Sequence, residues 1–178
     1  MKRKTLSKVG KRYDICHIKN VTKLRCAVDV YFVEYNHRKR KNTTAEERNG
    51  NMRYLIFVSH GELASGMCAA LAMLVGERDD VFHVAFQDGM GLPEFKENVK
   101  ALIEPITNED EVIVMADLIS GSPLTTTMEA LAEQLDLTNV RAIGGMNLPL
   151  AVTAIENEDE PLDETVNAMI ECAIEQIR

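Results

Sequence analysis

Apolar residues alternate along residues 52–178 between two rhythms. Tyr54–Val58 is an unbroken apolar run, which suits a strand buried on both faces. From Glu62 to Gly76 the apolar residues Leu63, Met67, Ala70, Leu71 and Leu74 fall at helical spacing, and Gly76 supplies a stop. The two rhythms then repeat. A second strand is expected over Val81–Phe86 and a helix over Leu92–Ile106, with Phe95, Val99, Leu102 and Ile103 on one face. Pro93 sits in the first turn of that helix, where a missing N–H costs nothing. Glu111–Asp117 reads as a third strand around Val112 to Met115. Ser122 as N-cap and Pro123 as first helical residue predict a helix to about Leu135. A fourth strand over Val140–Ile143, a turn through Pro149, a helix ending near Glu156 and a break at Asn157–Pro161 follow. Leu162–Ile177 closes the chain as a helix, with Val166, Met169, Ile170, Ala173 and Ile177 at helical spacing.

This alternation predicts an α/β fold: an open, mainly parallel four-stranded sheet with helices on both faces. Such sheets bind ligands outside the carboxyl ends of their strands. No internal repeat is visible, and no apolar run approaches the ~20 residues that span a bilayer.

Charge divides the chain in two. Residues 1–51 hold 14 Lys/Arg against 5 Asp/Glu, a net +9, whereas residues 52–178 hold 6 against 23, a net −17. So acidic a body repels nucleic acid and favours basic protein surfaces. The basic part begins with Lys2, Arg3 and Lys4, closes with Arg38 to Lys41, and carries one stretch, Leu24–Tyr35, that reads as a strand or hairpin arm. Residues 1–51 are expected to be a poorly ordered basic extension. A basic arm for anionic partners is a second reading, and a third has the native protein start at Met52, just before the first strand, with Glu46–Asn51 encoded as a purine-rich ribosome-binding leader. The intact mass of protein from its source decides between them. The cysteines, at 16, 26, 68 and 172, match neither a zinc site nor a disulfide framework and are expected to be free thiols.

Three positions carry candidate chemistry. His60 follows the first strand and precedes a helix, so it lies at the ligand-binding edge facing a helix amino end, which favours anions. Neutral imidazole is nucleophilic and titrates near ~6.5 in isolation, so it can take up and release a phosphoryl group; a structural histidine is the plain alternative. Asp117 ends the third strand and reaches the same edge. A carboxylate there can bond one ring nitrogen, fix the tautomer and leave the other nitrogen free, or it can simply cap the next loop. Gly121, Ser122 and Pro123 form a turn that aims N–H groups and a hydroxyl at an anion, as Gly61 does beside His60; N-capping is the plain role of Ser122. His83 reads as structural, and Asp88 and Glu94 as solvated charges on the same rim. There is no nucleotide-cradling glycine motif and no acidic pair for Mg²⁺ after the first strand, so no cofactor and no metal are expected.

Val58–Gly66, Asp117–Pro123 and Gly145–Pro149, in that order, resemble the IIA component of the mannose/fructose/sorbose family of the bacterial sugar phosphotransferase system. The resemblance covers residues 52–178, a whole IIA domain. It implies that His60 accepts a phosphoryl group from the phosphocarrier protein HPr and passes it to a IIB partner, with membrane IIC and IID components acting downstream. It implies that Asp117 orients His60, that Ser122 lies near the phosphoryl group, and that the protein is a cytoplasmic homodimer. A strand exchanged between subunits would then involve the region around Asn157–Leu162. Two departures stand out: Ser120 where the family often has glycine, and Leu118 where some members carry a hydroxyl. A histidine phosphatase or phosphomutase is the rival enzyme, but Ser59 stands where those enzymes place an arginine. A regulatory module read through His60 phosphorylation is the non-enzymatic alternative.

Overall fold

A computed structural model describes residues 51–177. The expectations for residues 1–50, including the Leu24–Tyr35 strand, lie outside the described residues. The sheet has four strands: β1 (Arg53–His60), β2 (Val81–Phe86), β3 (Glu111–Ala116) and β4 (Val140–Gly144). All pairs are parallel and the order is β2-β1-β3-β4. The five helices are α1 (Leu63–Val75), α2 (Leu92–Ile103), α3 (Ser122–Gln134), α4 (Leu148–Glu156) and α5 (Leu162–Gln176).

The continuous apolar runs follow from burial on both faces. Successive strand side chains point to opposite sides. Leu55, Phe57, Ile113 and Met115 enter a core shared with α1, α4 and α5. Tyr54, Ile56, Val58, Val112, Val114 and Ala116 enter a second core shared with α2 and α3. With a helical layer on each side, β1 from Tyr54 to Val58 and β3 from Val112 to Ala116 admit no charged residue.

The winding reverses between β1 and β3. α1 carries the chain from β1 to β2 on one face, while α2 and α3 lie on the other. The carboxyl ends of β1 and β3 therefore diverge into opposite layers, which opens the ligand-binding crevice of a doubly wound sheet. His60 is the last residue of one of these strands, and Asp117 directly follows the other.

Several boundaries differ from the sequence reading, with β3 ending at Ala116 and β4 at Gly144. β1 runs two residues further, because its ladder with β2 continues to the His60–Phe86 pair. α2 stops at Ile103, since Pro105 cannot continue a helix and disfavours helical backbone before it. Ser122 is not the N-cap of α3: that position is Gly121, with extended backbone, and Ser122 is already helical. Between Asn157 and Leu162 there is a turn and no strand. The Arg53 guanidinium fills its concave side, donating to Asn157 O (3.0 Å), Glu160 O (2.7 Å) and Thr165 Oγ1 (2.8 Å). A short 3₁₀ turn, Leu137–Asn139, was not foreseen; Asp136 caps it.

Candidate functional site

The site is built where β1 and β3 end. β3 stops at Ala116, so the next rung of the ladder with β1 is made by a side chain. Asp117 Oδ2 accepts from the backbone N–H of His60 at 2.9 Å. The same oxygen lies 2.9 Å from His60 Nδ1, and Oδ1 accepts from the Leu118 N–H at 2.8 Å. Burial works against the charge of this carboxylate. The His60 N–H, the His60 ring and the Leu118 N–H together outweigh burial and hold its pKa below the ordinary value. An ionised carboxylate only accepts, so Nδ1 carries the proton and Nε2 keeps its lone pair.

The rest of the ring is confined by contact. Phe86, paired with His60 across the β1–β2 ladder, meets it edge-on at 6.2 Å between centroids and rests in turn on Phe95 at 5.3 Å. Gly121 lies against the ring edge: a Cβ there would be 3.0 Å from His60 Cε1. Its φ is −75°, so glycine is needed here for close approach and not for a left-handed backbone. The His60 side chain is still 45% exposed.

The helix beside the ring leaves donors unused. α3 has no side-chain cap. The Ser122 hydroxyl is exposed and has no hydrogen-bond partner among the described residues, and Thr125 bonds only to carbonyls of the first turn. By contrast, Ser59 Oγ accepts from the Ala64 N–H at 2.7 Å and donates to Gly61 O at 3.1 Å, which fills the amino end of α1 from inside. Gly61 donates its N–H to Phe86 O at 2.9 Å, so it braces the turn after His60. The unfilled helix amino end beside His60 thus belongs to α3, not to the helix that directly follows it.

His83 is exposed on edge strand β2 and forms no part of this cluster. Asp88 and Glu94 are exposed in the turn after β2 and the first turn of α2. Glu62 joins the rim: its carboxylate accepts from Ser65 Oγ (2.8 Å) and Gln87 Nε2 (2.5 Å), and these bonds lower its pKa. Sequence reasoning missed Phe86, Ser59 and Gln87. Phe86 carried a usable signal, as the last apolar residue of a strand expected to neighbour β1. Among the described residues no group of three or more His, Cys, Asp or Glu could hold a metal ion.

The setting is that of an exposed surface. Leu63 (50% exposed) and Leu92 (46%) begin α1 and α2, and Leu118 (59%) and Ile119 (61%) stand on the loop after β3. A groove of about 280 Å³ lined by Cys68, Leu71, Val75 and Arg78 lies at the opposite edge of the sheet, away from the histidine. An exposed histidine among exposed apolar side chains makes an open surface rather than an enclosed small-molecule pocket.

Comparison with known proteins settles the family. The family described as PTS system fructose IIA component (EIIA-man) matches residues 54–171. The chain belongs to this family. It is 34% identical over 107 residues to the sorbose-specific EIIA component of Klebsiella pneumoniae, a stretch that covers 60% of this chain and 76% of that protein. Among solved structures, the mannose/sorbose-specific IIA subunit from Enterococcus faecalis superposes with a TM-score of 0.62 at 27% identity, covering 71% of this chain and 93% of that one. The IIA protein associated with the fucose utilization operon of Streptococcus pneumoniae gives 0.59 at 31% identity, covering 72% and 98%. This mannose-family IIA chain is therefore a component of a sugar-uptake phosphotransferase system. The expected α/β sheet, parallel with helices on both faces, is the fold these relatives share.

Proposed function

We propose that this IIA chain is a phosphoryl relay that accepts phosphate from HPr on Nε2 of His60 and passes it to a IIB partner. The observation that carries the reading is the Asp117 Oδ2 contact with Nδ1, which leaves Nε2 unbonded on a ring that is 45% exposed. The Nε2 lone pair attacks the phosphorus of the donor's phosphohistidine. As the new N–P bond forms, the donor's N–P bond breaks and its electron pair returns to the donor imidazole. The His60 ring gains positive charge while keeping its Nδ1 proton, and ionised Asp117 stabilises that charge. No proton has to be moved. Transfer to the IIB histidine reverses the sequence.

The phosphoryl oxygens meet the Ser122 hydroxyl and the uncapped amino end of α3, and Gly121 leaves room for them beside the ring. All five described Lys and Arg residues are engaged in salt bridges elsewhere. Any cation that accompanies the phosphoryl group therefore comes from the partner or from outside the described residues. The phosphatase reading, which needs such a cation beside the histidine, gains no support.

The working unit is residues 52–178, acting in the cytoplasm as a homodimer, with IIC and IID engaged only through IIB. No described helix is long and apolar enough to cross a membrane. The outer edge of β4 has no partner strand among the described residues and is open to a second copy. The test is direct. The full chain is incubated with phosphoenolpyruvate, the first enzyme of the system and HPr, and acid-labile phosphate is measured. The wild-type protein should label and His60→Ala should not. Equal labelling of His60→Ala would overturn the assignment.

A further inference from the structure

The third sequence motif, Gly145–Pro149, and the glycine before it take no part in the relay as described, yet they lie against it. β4 ends at Gly144, opposite Ala116 of β3. The loop that follows β3 passes over that end. A Cβ on Gly144 would lie 2.6 Å from Ile119 N, 2.6 Å from Ile119 Cβ and 2.7 Å from Ile119 Cα. Two of these are backbone atoms, so a change of rotamer cannot relieve the clash.

The next residues tie down the same loop. Gly145 donates its N–H to Asp117 O at 3.1 Å, and Met146 donates to Ala116 O at 2.9 Å. Asn147 Oδ1 accepts from the Leu150 N–H at 3.0 Å and caps α4, while its Nδ2 donates to Gly145 O at 3.2 Å. The corner between β4 and α4 is therefore rigid. On its other side the loop reaches the active ring: Gly121 donates its N–H to Leu118 O at 3.2 Å, and it approaches both His60 Cε1 and Leu118 Cβ. Residues 117–121 are thus seated between two close approaches, one at Gly144 and one at His60.

We propose that Gly144 is a positioning residue for His60. By letting the Ile119 backbone rest on the end of β4, it sets where the loop sits. That fixes the Asp117–Nδ1 contact and the approach of Gly121 to the ring. Gly144 touches neither His60 nor the phosphoryl group; it acts through the loop. Displacements well under 1 Å matter here, because a misplacement of about 1 Å can cost ~10²-fold in rate.

The test is Gly144→Ala in the full-length protein, with ¹⁵N NMR of the His60 ring and labelling kinetics from phosphorylated HPr. The expected result is a folded protein whose ring no longer holds the single Nδ1–H tautomer. Its labelling rate should fall about tenfold while KM for HPr changes less than about twofold. Ile119→Ala, which keeps the backbone, should keep the wild-type tautomer. Should Gly144→Ala fail to fold, Asn147→Ala loosens the same corner without a clash and should give a partial loss of the tautomer preference. A folded Gly144→Ala with wild-type tautomer and rate overturns the proposal, as does an Asn147→Ala ring identical to wild type where Gly144→Ala does not fold. The mechanism rests on His60 as acceptor only for its kinetic arm. The tautomer is read without phosphate, so failure of the relay and failure of the positioning role are distinguishable.

Discussion

The two edges of one sheet are furnished in opposite ways. At the amino edge, polar groups are spent on each other. Arg53 joins Glu111 and the 157–161 turn. Arg78, with a side chain only 4% exposed, binds Asp80 and Glu158. Burial opposes the charge on Arg78, and the two carboxylates more than offset it. At the carboxyl edge the polar groups stay available: His60 Nε2, the Ser122 hydroxyl and the amino end of α3, among exposed leucine and isoleucine side chains. On the proposed relay, the difference separates what holds the fold from what carries out transfer. Unmet polar groups weaken a structure, and those at the carboxyl edge are exposed, where a partner can meet them.

If that separation is real, damage at one edge should leave the other intact. The largest effect is expected from Asp117→Asn. The amide can still fill the space, but it no longer supplies the charge that stabilises the ring. Transfer from HPr should slow by ~10²-fold or more, with a thermal midpoint within a few degrees of wild type. Rapid-quench labelling beside a melting curve tests this, and an unchanged rate would remove the orienting role. The mirror experiment is Arg78→Met. It removes the guanidinium that two largely buried carboxylates share, 9% and 14% exposed, which should cost about 3–5 kcal/mol in urea denaturation. Transfer per folded molecule should be unchanged. Slower transfer at equal stability would show that the edges are coupled.

These edges were not equally legible in the sequence. The alternating runs around Phe57 and Met115, and the spacing of Phe95 and Val99, report a local period and were read correctly. That His60 and Asp117 meet at one edge was legible because each closes an apolar run, and a strand end has only one place to go. What stayed hidden depends on contacts between distant segments. That Arg53 braces a turn more than 100 residues away follows from packing and leaves no local pattern. Ser122 looked like an N-cap because N-caps favour serine, but the actual cap is Gly121, required there by the approach of the His60 ring. By sequence Gly144 is an ordinary turn glycine and Phe86 an ordinary strand end, and both become informative only once the register is known.

Acid should act on the carboxyl edge through Asp117. Its pKa is lowered in the folded state, so the unfolded chain binds the proton more tightly. Its contribution to stability is therefore complete above the unfolded value of ~3.9 and is lost as pH falls through the lower folded value. The stability gap between wild type and Asp117→Asn should be constant near pH 6 and shrink below about pH 4. A gap that widened on acidification would mean that the carboxylate is not held as the ion. Ser122→Ala should be milder still. It removes one exposed donor from a site that keeps its backbone N–H groups, and a few-fold loss of rate is expected, about 1 kcal/mol.

The smallest effect sharpens the comparison most, because it repeats the chemistry of Gly144→Ala where space allows it. Gly66 lies inside α1, one turn beyond the His60 loop, and a Cβ there would meet nothing within 4 Å. Glycine in a helix interior costs about 0.5–1 kcal/mol relative to alanine, so Gly66→Ala should stabilise the protein by that amount and raise its melting temperature by a few degrees. Transfer should be untouched, since the amino end of α1 is already filled by the Ser59 hydroxyl and takes no part in binding the anion. One added methyl group would then stabilise at one glycine and disable at the other, with only the neighbouring atoms to distinguish them. A Gly66→Ala protein that is more stable but slower with HPr would place this face of α1 inside the docking surface and extend the functional edge down the helix.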